Sequence, residues 1–402
     1  MKKMISVEEA QETVLEHTPP LPPTFVAIEE SAELALAEDV CADRDYPPFN
    51  RAMMDGFAVR LSDRGKRVKI ASEVAAGDSP SLAVSEGACA EIMTGAPCPS
   101  GTEAVVKKED VKRDGNEVVL PQKIERNENI SAKGADCKMG ALVLRKGNIV
   151  SPLTIANLAA FGVKEVAVYP NPSLAIITTG GELVEKNGVV SELQIRNSNS
   201  PMLITAANLA GITRIETLHC ADNLVALSEA IETASKNDIV VLTGGVSEGK
   251  YDLVPQALSK LGAELIFHKV KQKPGKPLLF AKKGRTLFFG LPGNPLASLF
   301  SFYKYVLLAC RKMSSKPVEV AYFWGKLKSP ARLTSDRTFF LLCRAEKSRE
   351  GWLLEPMVNQ GSADIFTPAR ANSFVTLPAG ESSLPHGEPV MFEFFGSLRW
   401  LA

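Results

Sequence analysis

No surplus of charge of either sign marks this sequence: Lys+Arg and Asp+Glu are both 46 in 402 residues, and the formal charge is zero. A chain that wraps nucleic acid carries a basic surplus, so that class is set aside. Any anion must be held by local lysine clusters or by backbone N–H groups. Apolar runs are short, none reaching the roughly 18 residues that argue for a membrane span. The chain runs from Met1-Lys2-Lys3 into Glu8, Glu9 and Glu12 with no apolar signal core. Paired cysteines are missing too. Cys41, Cys89, Cys98, Cys137, Cys220, Cys310 and Cys343 are scattered, odd in number and never at two-residue spacing. That excludes a disulfide framework and the common zinc and redox motifs, and predicts a cytoplasmic protein with reduced thiols. His17, His219, His268 and His386 show no metal-ligand spacing. No serine sits in a nucleophile elbow, so covalent hydrolysis has no support.

What is present is ordinary globular composition, 45% hydrophobic and 23% charged. This excludes disorder, collagen-like repeats and coiled coil as descriptions of the whole chain, and the length implies about two to four domains. Helical spacing over 5–17 stops at Pro19-Pro20-Leu21-Pro22-Pro23, and 26–41 reads as a second short helix. Between Pro47 and Cys137, short alternating segments separated by Gly, Pro and Asp turns predict a β-rich module. Residues 152–161 read as helix, and Tyr169-Pro170-Asn171-Pro172 marks a boundary. Strands are then predicted at 174–178, 213–218, 239–243, 263–269 and 285–289, with helices at 199–210, 223–236, 252–261 and 295–311. That alternation implies right-handed βαβ units and a mostly parallel sheet covered on both faces. Residues 319–402 return to short strands and turns.

Three strand ends of the α/β block are glycine-rich: Thr178-Thr179-Gly180-Gly181-Glu182, Thr243-Gly244-Gly245-Val246-Ser247 and Phe289-Gly290-Leu291-Pro292-Gly293-Asn294-Pro295. In an open parallel sheet these ends form the ligand edge, and glycine lets backbone N–H groups approach an oxyanion. Asn294 as N-cap and Pro295 in the first turn would aim a helix N-terminus there. Each loop alone reads equally as an ordinary strand-to-helix turn; three together favour binding. If 268–273 is extended, Lys269, Lys271 and Lys273 share one face, as an anion site or as a solvated edge, with Lys276 held close by in Pro274-Gly275-Lys276-Pro277. Glu182 and Asp252 beside these loops suit Mg²⁺, which takes oxygen ligands and shares them with phosphates; Asp252 reads equally as the N-cap of 252–261.

Five segments in order carry a resemblance: Phe49 to Arg60 (with Asp55-Gly56), Glu91 to Pro97 (with Thr94-Gly95), Gly244 to Ser247, Lys273 to Pro277 and Leu291 to Pro295. From about residue 5 to the C-terminus the chain resembles the molybdopterin molybdenumtransferase (molybdenum insertase) family, related to the C-terminal domain of gephyrin. The resemblance implies a multidomain α/β plus β chain. A split N-terminal domain (1–41 and 138–168) surrounds an inserted β-rich domain (42–137). A molybdopterin-binding α/β domain (169–318) and a C-terminal β-barrel-like domain (319–402) follow. It implies an elongated homodimer in which the α/β block of one subunit faces the inserted domain of the other. It implies a reaction in which adenylylated molybdopterin and molybdate give molybdenum cofactor and AMP with Mg²⁺. Transient contact with the molybdopterin adenylyltransferase and with apo-molybdoenzymes is implied as well.

Carried over position by position, Asp55, Thr94, Asp136, Glu182, Lys269 and Lys273 fall at catalytic positions. Gly180, Gly244, Gly245, Ser247, Lys276, Pro292, Gly293, Asn294, Pro295 and Ser362 fall at binding positions, and Glu182 and Asp252 at metal positions. Four residues depart from the family pattern. Gly181 and Asn197 replace aspartates, Ala135 replaces a glutamate, and Leu342 stands where an arginine is usual, with Arg344 two residues on as its substitute. Asn197 and Leu342 motivate the alternative of a non-catalytic molybdopterin-binding or scaffold homologue.

Overall fold

The computed structural model describes residues 2–184, 186–245, 253–357, 361 and 363–395. The chain divides into two compact units, one of Met1–Phe25, Glu33–Ala35 and Ala167–Ala402, the other of Val26–Ala32 and Leu36–Val166.

The larger unit is built on a seven-stranded sheet in the order Lys2–Ile5, Glu264–Val270, Leu279–Lys283, Thr286–Leu291, Ile239–Thr243, Leu174–Thr179, Ile215–Cys220. Its strands Leu174–Thr179 and Ile239–Thr243 are buried at every position because both faces are covered. Leu174, Ile176, Ile239, Val241 and Phe289 pack with the helices Val7–His17 and Asn199–Leu209 and the helical stretch that follows Asn294. Ala175, Ile177, Val240, Leu242 and Phe288 pack against Leu224–Ala234 and Leu253–Leu261. Every pairing is parallel except those of Leu279–Lys283, which runs against both neighbours. Glu264–Val270 therefore points the same way as the central strands, and the ends at Thr179, Thr243, Val270 and Leu291 share one edge.

Two of these strands escape the sequence reading. Leu279–Lys283 hides between Pro277 and the Lys282-Lys283-Gly284 turn, whose glycine sits at φ +59. Lys2–Ile5 precedes a helix capped by Ser6, whose Oγ accepts from the Glu9 N–H at 3.1 Å. That first strand and helix pack on the α/β sheet, whereas the sequence reading groups them with 138–168. The helix expected over 295–311 is an α-helix at Pro295–Ser301, a π turn at Phe302–Val306 and an α-helix at Leu307–Met313.

Beyond it, the strands Thr338–Ser348, Gly351–Pro356, Phe323–Leu327, Pro389–Phe394 and Ser373–Leu377 close on themselves through pairing of the first with the last, a five-stranded barrel around Leu341, Cys343, Leu354 and Phe392. Closure removes the exposed edges. Two links tie barrel to helices. Lys304 Nζ donates to both carboxylate oxygens of Glu393 (2.5 and 2.7 Å), and Phe300 stacks on Phe340 at 4.9 Å. Gln272–Lys273 adds a short parallel strand to the barrel, pairing with Thr338 and Phe339.

The smaller unit holds a six-stranded mixed sheet that includes Arg67–Val74, Ala88–Ile92 and Gly56–Val59, with Ala104–Lys107 at one edge, as the β-rich reading between Pro47 and Cys137 anticipates. The helix expected over 26–41 does not form. Glu33 at φ +64 leaves the helical path, and tertiary pairing wins over propensity: Val40 and Cys41 pair with Leu144 and Leu142, and the Leu36 N–H donates to Asn148 O.

Candidate functional site

At the shared edge of the seven-stranded sheet, the three glycine loops interlock. Gly244, at φ +95, leaves no room for a side chain, since an added methyl would lie 2.5 Å from Thr179 O. A methyl on Gly180 would meet the Glu182 carboxylate at 2.8 and 3.0 Å, so that carboxylate lies over the first turn. Gly293 sits beside the Gly244 Cα, and Pro292 before it is buried. Asn199 fastens the second loop to the third: its Nδ2 donates to Gly293 O (2.7 Å) and Thr243 Oγ1 (3.2 Å). Its Oδ1, equally buried, meets no partner among the described residues. Asn294 takes the N-cap position before Pro295, as expected, but its side chain makes no capping hydrogen bond.

The lysine segment lies on the same edge but not as a single face. Lys269 adopts φ +79, which a non-glycine residue holds only when its surroundings over-determine it. The N–H of Lys269 donates to Leu278 O at 2.8 Å. The turn interrupts the two-residue period, which then runs only through the exposed pair Lys271 and Lys273. Gln272 between them is fully buried; its Nε2 donates to Gly275 O (3.1 Å) and its Oε1 accepts from Tyr305. A methyl on Gly275 would strike Gln272 Nε2 at 2.7 Å and approach Ser301 Oγ and Ala297 O, so the Pro-Gly-Lys turn is seated on the helix that starts at Pro295. Lys273, Lys276, Arg337, Phe339, Phe340 and Gly361 line a cavity of about 350 Å³ there, and Lys273 Nζ lies 5.7 Å from the Phe339 ring centre. Lys269 does not line it.

In the smaller unit, Asp55 and Thr94 come together because Gly56 pairs with Ile92 across two neighbouring strands. Asp55 Oδ1 accepts from both the N–H (2.8 Å) and the Oγ1 (2.6 Å) of Thr94, and Lys108 Nζ stands 3.6 Å from Oδ2. The Thr94 hydroxyl, with help from its N–H and from Lys108, holds the carboxyl below its usual range. Asp136 is brought instead to Arg51, whose Nη2 lies 3.5 Å from Oδ2. Ser247, Asp252 and Ser362 lie outside the described residues. Among the described residues, no group of three or more His, Cys, Asp or Glu side chains converges as a metal cage. No helix among them is long and apolar enough to cross a membrane.

Comparison with known proteins accounts for nearly the whole chain. Residues 5–162 match the MoeA N-terminal region (domain I and II), 175–312 a probable molybdopterin binding domain, and 325–395 the MoeA C-terminal region (domain IV). A molybdopterin molybdenumtransferase of Staphylococcus aureus is 33% identical over 398 residues, covering 96% of this chain and 94% of that protein. The chain belongs to the molybdopterin molybdenumtransferase family. A second member, from Synechocystis, is 32% identical over 394 residues and covers 96% and 98%. The crystal structure of a molybdopterin biosynthesis MoeA protein from Pyrococcus horikoshii superposes with a TM-score of 0.84 at 30% identity, over 98% of this chain and 100% of that one.

Within this molybdopterin molybdenumtransferase architecture, the edge carries polar groups that sequence reasoning passed over. Thr179 Oγ1 donates to Asp222 Oδ1 (3.4 Å), Thr178 Oγ1 meets His219 Nδ1 (3.2 Å), and Asn199 joins two loops. The available signal was their position, at or just beyond strand ends. Asn197 is fully engaged: Nδ2 donates to Thr178 Oγ1 (3.1 Å) and Oδ1 accepts from the Ser200 N–H (3.1 Å). Leu342 is buried in the same apolar cluster as Phe300 and Phe374. Arg344 Nε lies 3.2 Å from Glu346 Oε1, and the side chain lines a second cavity with Glu355, Thr367 and Arg370.

Proposed function

We propose that this member of the molybdopterin molybdenumtransferase family transfers molybdate to adenylylated molybdopterin, releasing AMP and molybdenum cofactor. The observation that carries this reading is the single edge on which three glycine loops and the Lys273–Lys276 cavity both open. Phosphate and molybdate are tetrahedral oxyanions of the same chemical class, and the edge offers them backbone N–H groups at the turns and ammonium groups in the cavity. The lysines Lys273 and Lys276 hold oxyanion charge, and Lys269 is fixed nearby by its constrained backbone. Gly180, Gly244, Gly245 and Gly293 let the phosphate-bearing substrate approach the chain closely, with Pro292, Asn294 and Pro295 shaping the third turn. The unpartnered Oδ1 of Asn199 is an acceptor held ready between two loops.

The carboxylates of Glu182 and Asp222 fit a hard cation shared with substrate phosphates rather than caged by protein. Glu182 would hold Mg²⁺ together with Asp252. When bound, Mg²⁺ neutralises charge as the phosphoanhydride P–O bond breaks. Asp55 stays ionised at neutral pH and is aimed by Thr94; with Asp136 it supplies the acidic groups of the reaction. Ser247 and Ser362 complete the binding set.

The same reading includes four domains and a homodimer working in the cytoplasm with an adenylylating enzyme upstream and apo-molybdoenzymes downstream. Pairing of residues 36–42 with 140–148 supports a domain split around an insertion. The test is AMP release by purified protein given adenylylated molybdopterin, molybdate and Mg²⁺. Release no faster than from a Lys273→Ala variant ends the proposal and leaves the binding-scaffold alternative. Sedimentation at micromolar concentration tests the dimer.

A further inference from the structure

The helical stretch after Asn294 is broken by the π turn Phe302–Val306, which carries two adjacent buried polar side chains, Lys304 and Tyr305. Such turns inside α-helices are frequent at functional sites. We infer that Tyr305, acting through Gln272, is a positioning residue for Lys273 and Lys276. That role rests on the proposed function for what the two lysines bind, and on the hydrogen bonds beneath them for what holds them in place.

Tyr305 and Gln272 are both fully buried, and the Tyr305 hydroxyl donates to Gln272 Oε1. Gln272 Nε2 donates in turn to Gly275 O at 3.1 Å. One amide thus connects the helix to the backbone of the turn that carries the lysines. Lys273 follows Gln272 on the same two-residue strand, so the pleat turns one side chain inward and the other outward: Gln272 is buried and Lys273 exposed. Lys276 follows Gly275, and its carbonyl accepts from the Val270 N–H at 3.0 Å. Backbone bonds hold the segment before the turn, from the Lys271 N–H to Ile5 O (2.8 Å) and from the Thr338 N–H to Lys271 O (3.1 Å). Gly275, at φ +96, has no room for a methyl group beside Gln272 Nε2, so the turn is seated directly on that amide.

Lys304 reaches the other way. Its Nζ pairs with Glu393 and lies 5.5 and 4.9 Å from the ring centres of Phe340 and Phe374. Phe340 follows Phe339, the residue that pairs with Lys273. Adjacent residues of one π turn therefore grip the barrel strand on one side of Lys273 and the Pro-Gly-Lys turn on the other. An apolar pair could fill the Tyr305–Gln272 space with little loss of stability, because a buried hydrogen bond contributes little net beyond its own desolvation. What the polar pair adds is a single placement: Gln272 meets Tyr305 and Gly275 together only when the turn sits at one height over the helix.

The test is turnover and amide hydrogen exchange of the full-length protein for Tyr305→Phe, Gln272→Leu, the two combined, and Ile231→Val, which thins the core on the opposite face of the sheet. Gln272→Leu is expected to raise the KM for molybdate about fivefold or more while lowering kcat less. Tyr305→Phe shifts KM the same way, and the combination is no worse than Gln272→Leu alone, because the same thread is cut once. Exchange at the Val270 N–H, which reports the closure on Lys276, quickens in these variants, whereas the amides of Ile239–Thr243 keep wild-type protection. Ile231→Val lowers stability and leaves KM within about twofold of wild type. Folded Tyr305→Phe and Gln272→Leu proteins with wild-type KM overturn the inference and leave the proposed function standing; the pair is then packing alone. If Gln272→Leu does not fold, Tyr305→Phe, which removes one hydroxyl, decides by the same criterion. A wild type that releases no AMP ends the proposed function, and the Val270 exchange then decides for or against the positioning of the turn by itself.

Discussion

The carboxyl edge of the α/β sheet and the Asp55–Thr94 corner of the inserted β sheet hold charge in opposite ways. At the edge, Lys273, Lys276 and Arg337 line one cavity, with the exposed Asp336 carboxylate bonded to Arg337, and the backbone is bent by glycine and by Lys269. At the corner, one carboxylate is satisfied by two bonds from a single threonine with a lysine in attendance. On the proposed function an anionic ligand completes the edge, whereas the Asp55 carboxylate at the corner is already hydrogen-bonded within the protein. Substitutions should therefore cost function at the edge before stability, and tune a protonation equilibrium at the corner.

The largest effect tests that contrast directly. Lys273→Ala is expected to reduce AMP release by at least about a hundredfold. The ammonium is exposed, so unfolding should barely move. A variant that turns over normally, or one that loses activity only because it unfolds, breaks the picture of an edge built for ligand rather than for the fold.

A second comparison uses two glycines with nearly the same backbone. Gly244 (φ +95) and Gly95 (φ +85) both lie in the left-handed region, but an added methyl at Gly244 meets Thr179 O at 2.5 Å, while at Gly95 nothing lies within 4 Å. Alanine at either site incurs the conformational cost of about 1 kcal/mol. Only Gly244→Ala adds overlap with rigid backbone, for a total of about 3 kcal/mol or more. Equilibrium urea unfolding reads both, and equal losses would show that the interlocking of the loops is weaker than the geometry states.

How much of this was legible in the sequence varies with the kind of signal. The glycine loops were readable because three strand ends repeat one chemistry, and short apolar strands alternating with helices announced a sheet covered on both faces. Lys2–Ile5 and Leu279–Lys283 were not, because short strands flanked by lysine and proline show no period and exist only through their partners. The 26–41 segment misled for the opposite reason: its composition favours helix, and pairing with 140–148 overrides it. At the site, Lys269, Lys271 and Lys273 suggested one face until the positive φ at Lys269 broke the alternation. Asn199 carried no motif; its place at the site comes from its hydrogen bonds to Gly293 O and Thr243 Oγ1 across two loops.

At the corner the expected effect is smaller and concerns protons. The Thr94 hydroxyl is the main cause of the low Asp55 pKa, so Thr94→Val should raise it toward the ordinary 3.8. A carboxyl with a depressed folded value contributes stability that is present above its unfolded value and lost as pH falls through the folded one. Removing the hydroxyl therefore lowers stability slightly at neutral pH and flattens the acid limb of the profile, so that variant and wild type converge below about pH 4. Carbon-detected titration of the Asp55 carboxyl checks the direction; an unchanged value would mean that the backbone N–H at position 94 and Lys108, not the hydroxyl, govern the charge.

The smallest effect separates the two units by their thiols. Cys41 is exposed, and Cys98 and Cys137 are half-buried, all three in the smaller unit. The larger unit holds Cys220, Cys310 and Cys343, each buried. Burial pushes the Cys310 and Cys343 thiols up to about 12 and raises Cys220 as well. Since the thiolate is the reactive form, a thiol reagent at neutral pH should label Cys41 first and leave the larger unit unlabelled on the same timescale. Cys89 and Cys98, raised to about 12 and about 11 by burial, should follow slowly if at all. Molybdate has no reason to alter this order, because none of the lysines that line the oxyanion cavity contacts a thiol. Rapid labelling of Cys220 or Cys310 would mean that the packing beneath the strand ends opens on that timescale, and an edge that opens could not keep its glycine loops in the register on which ligand binding depends.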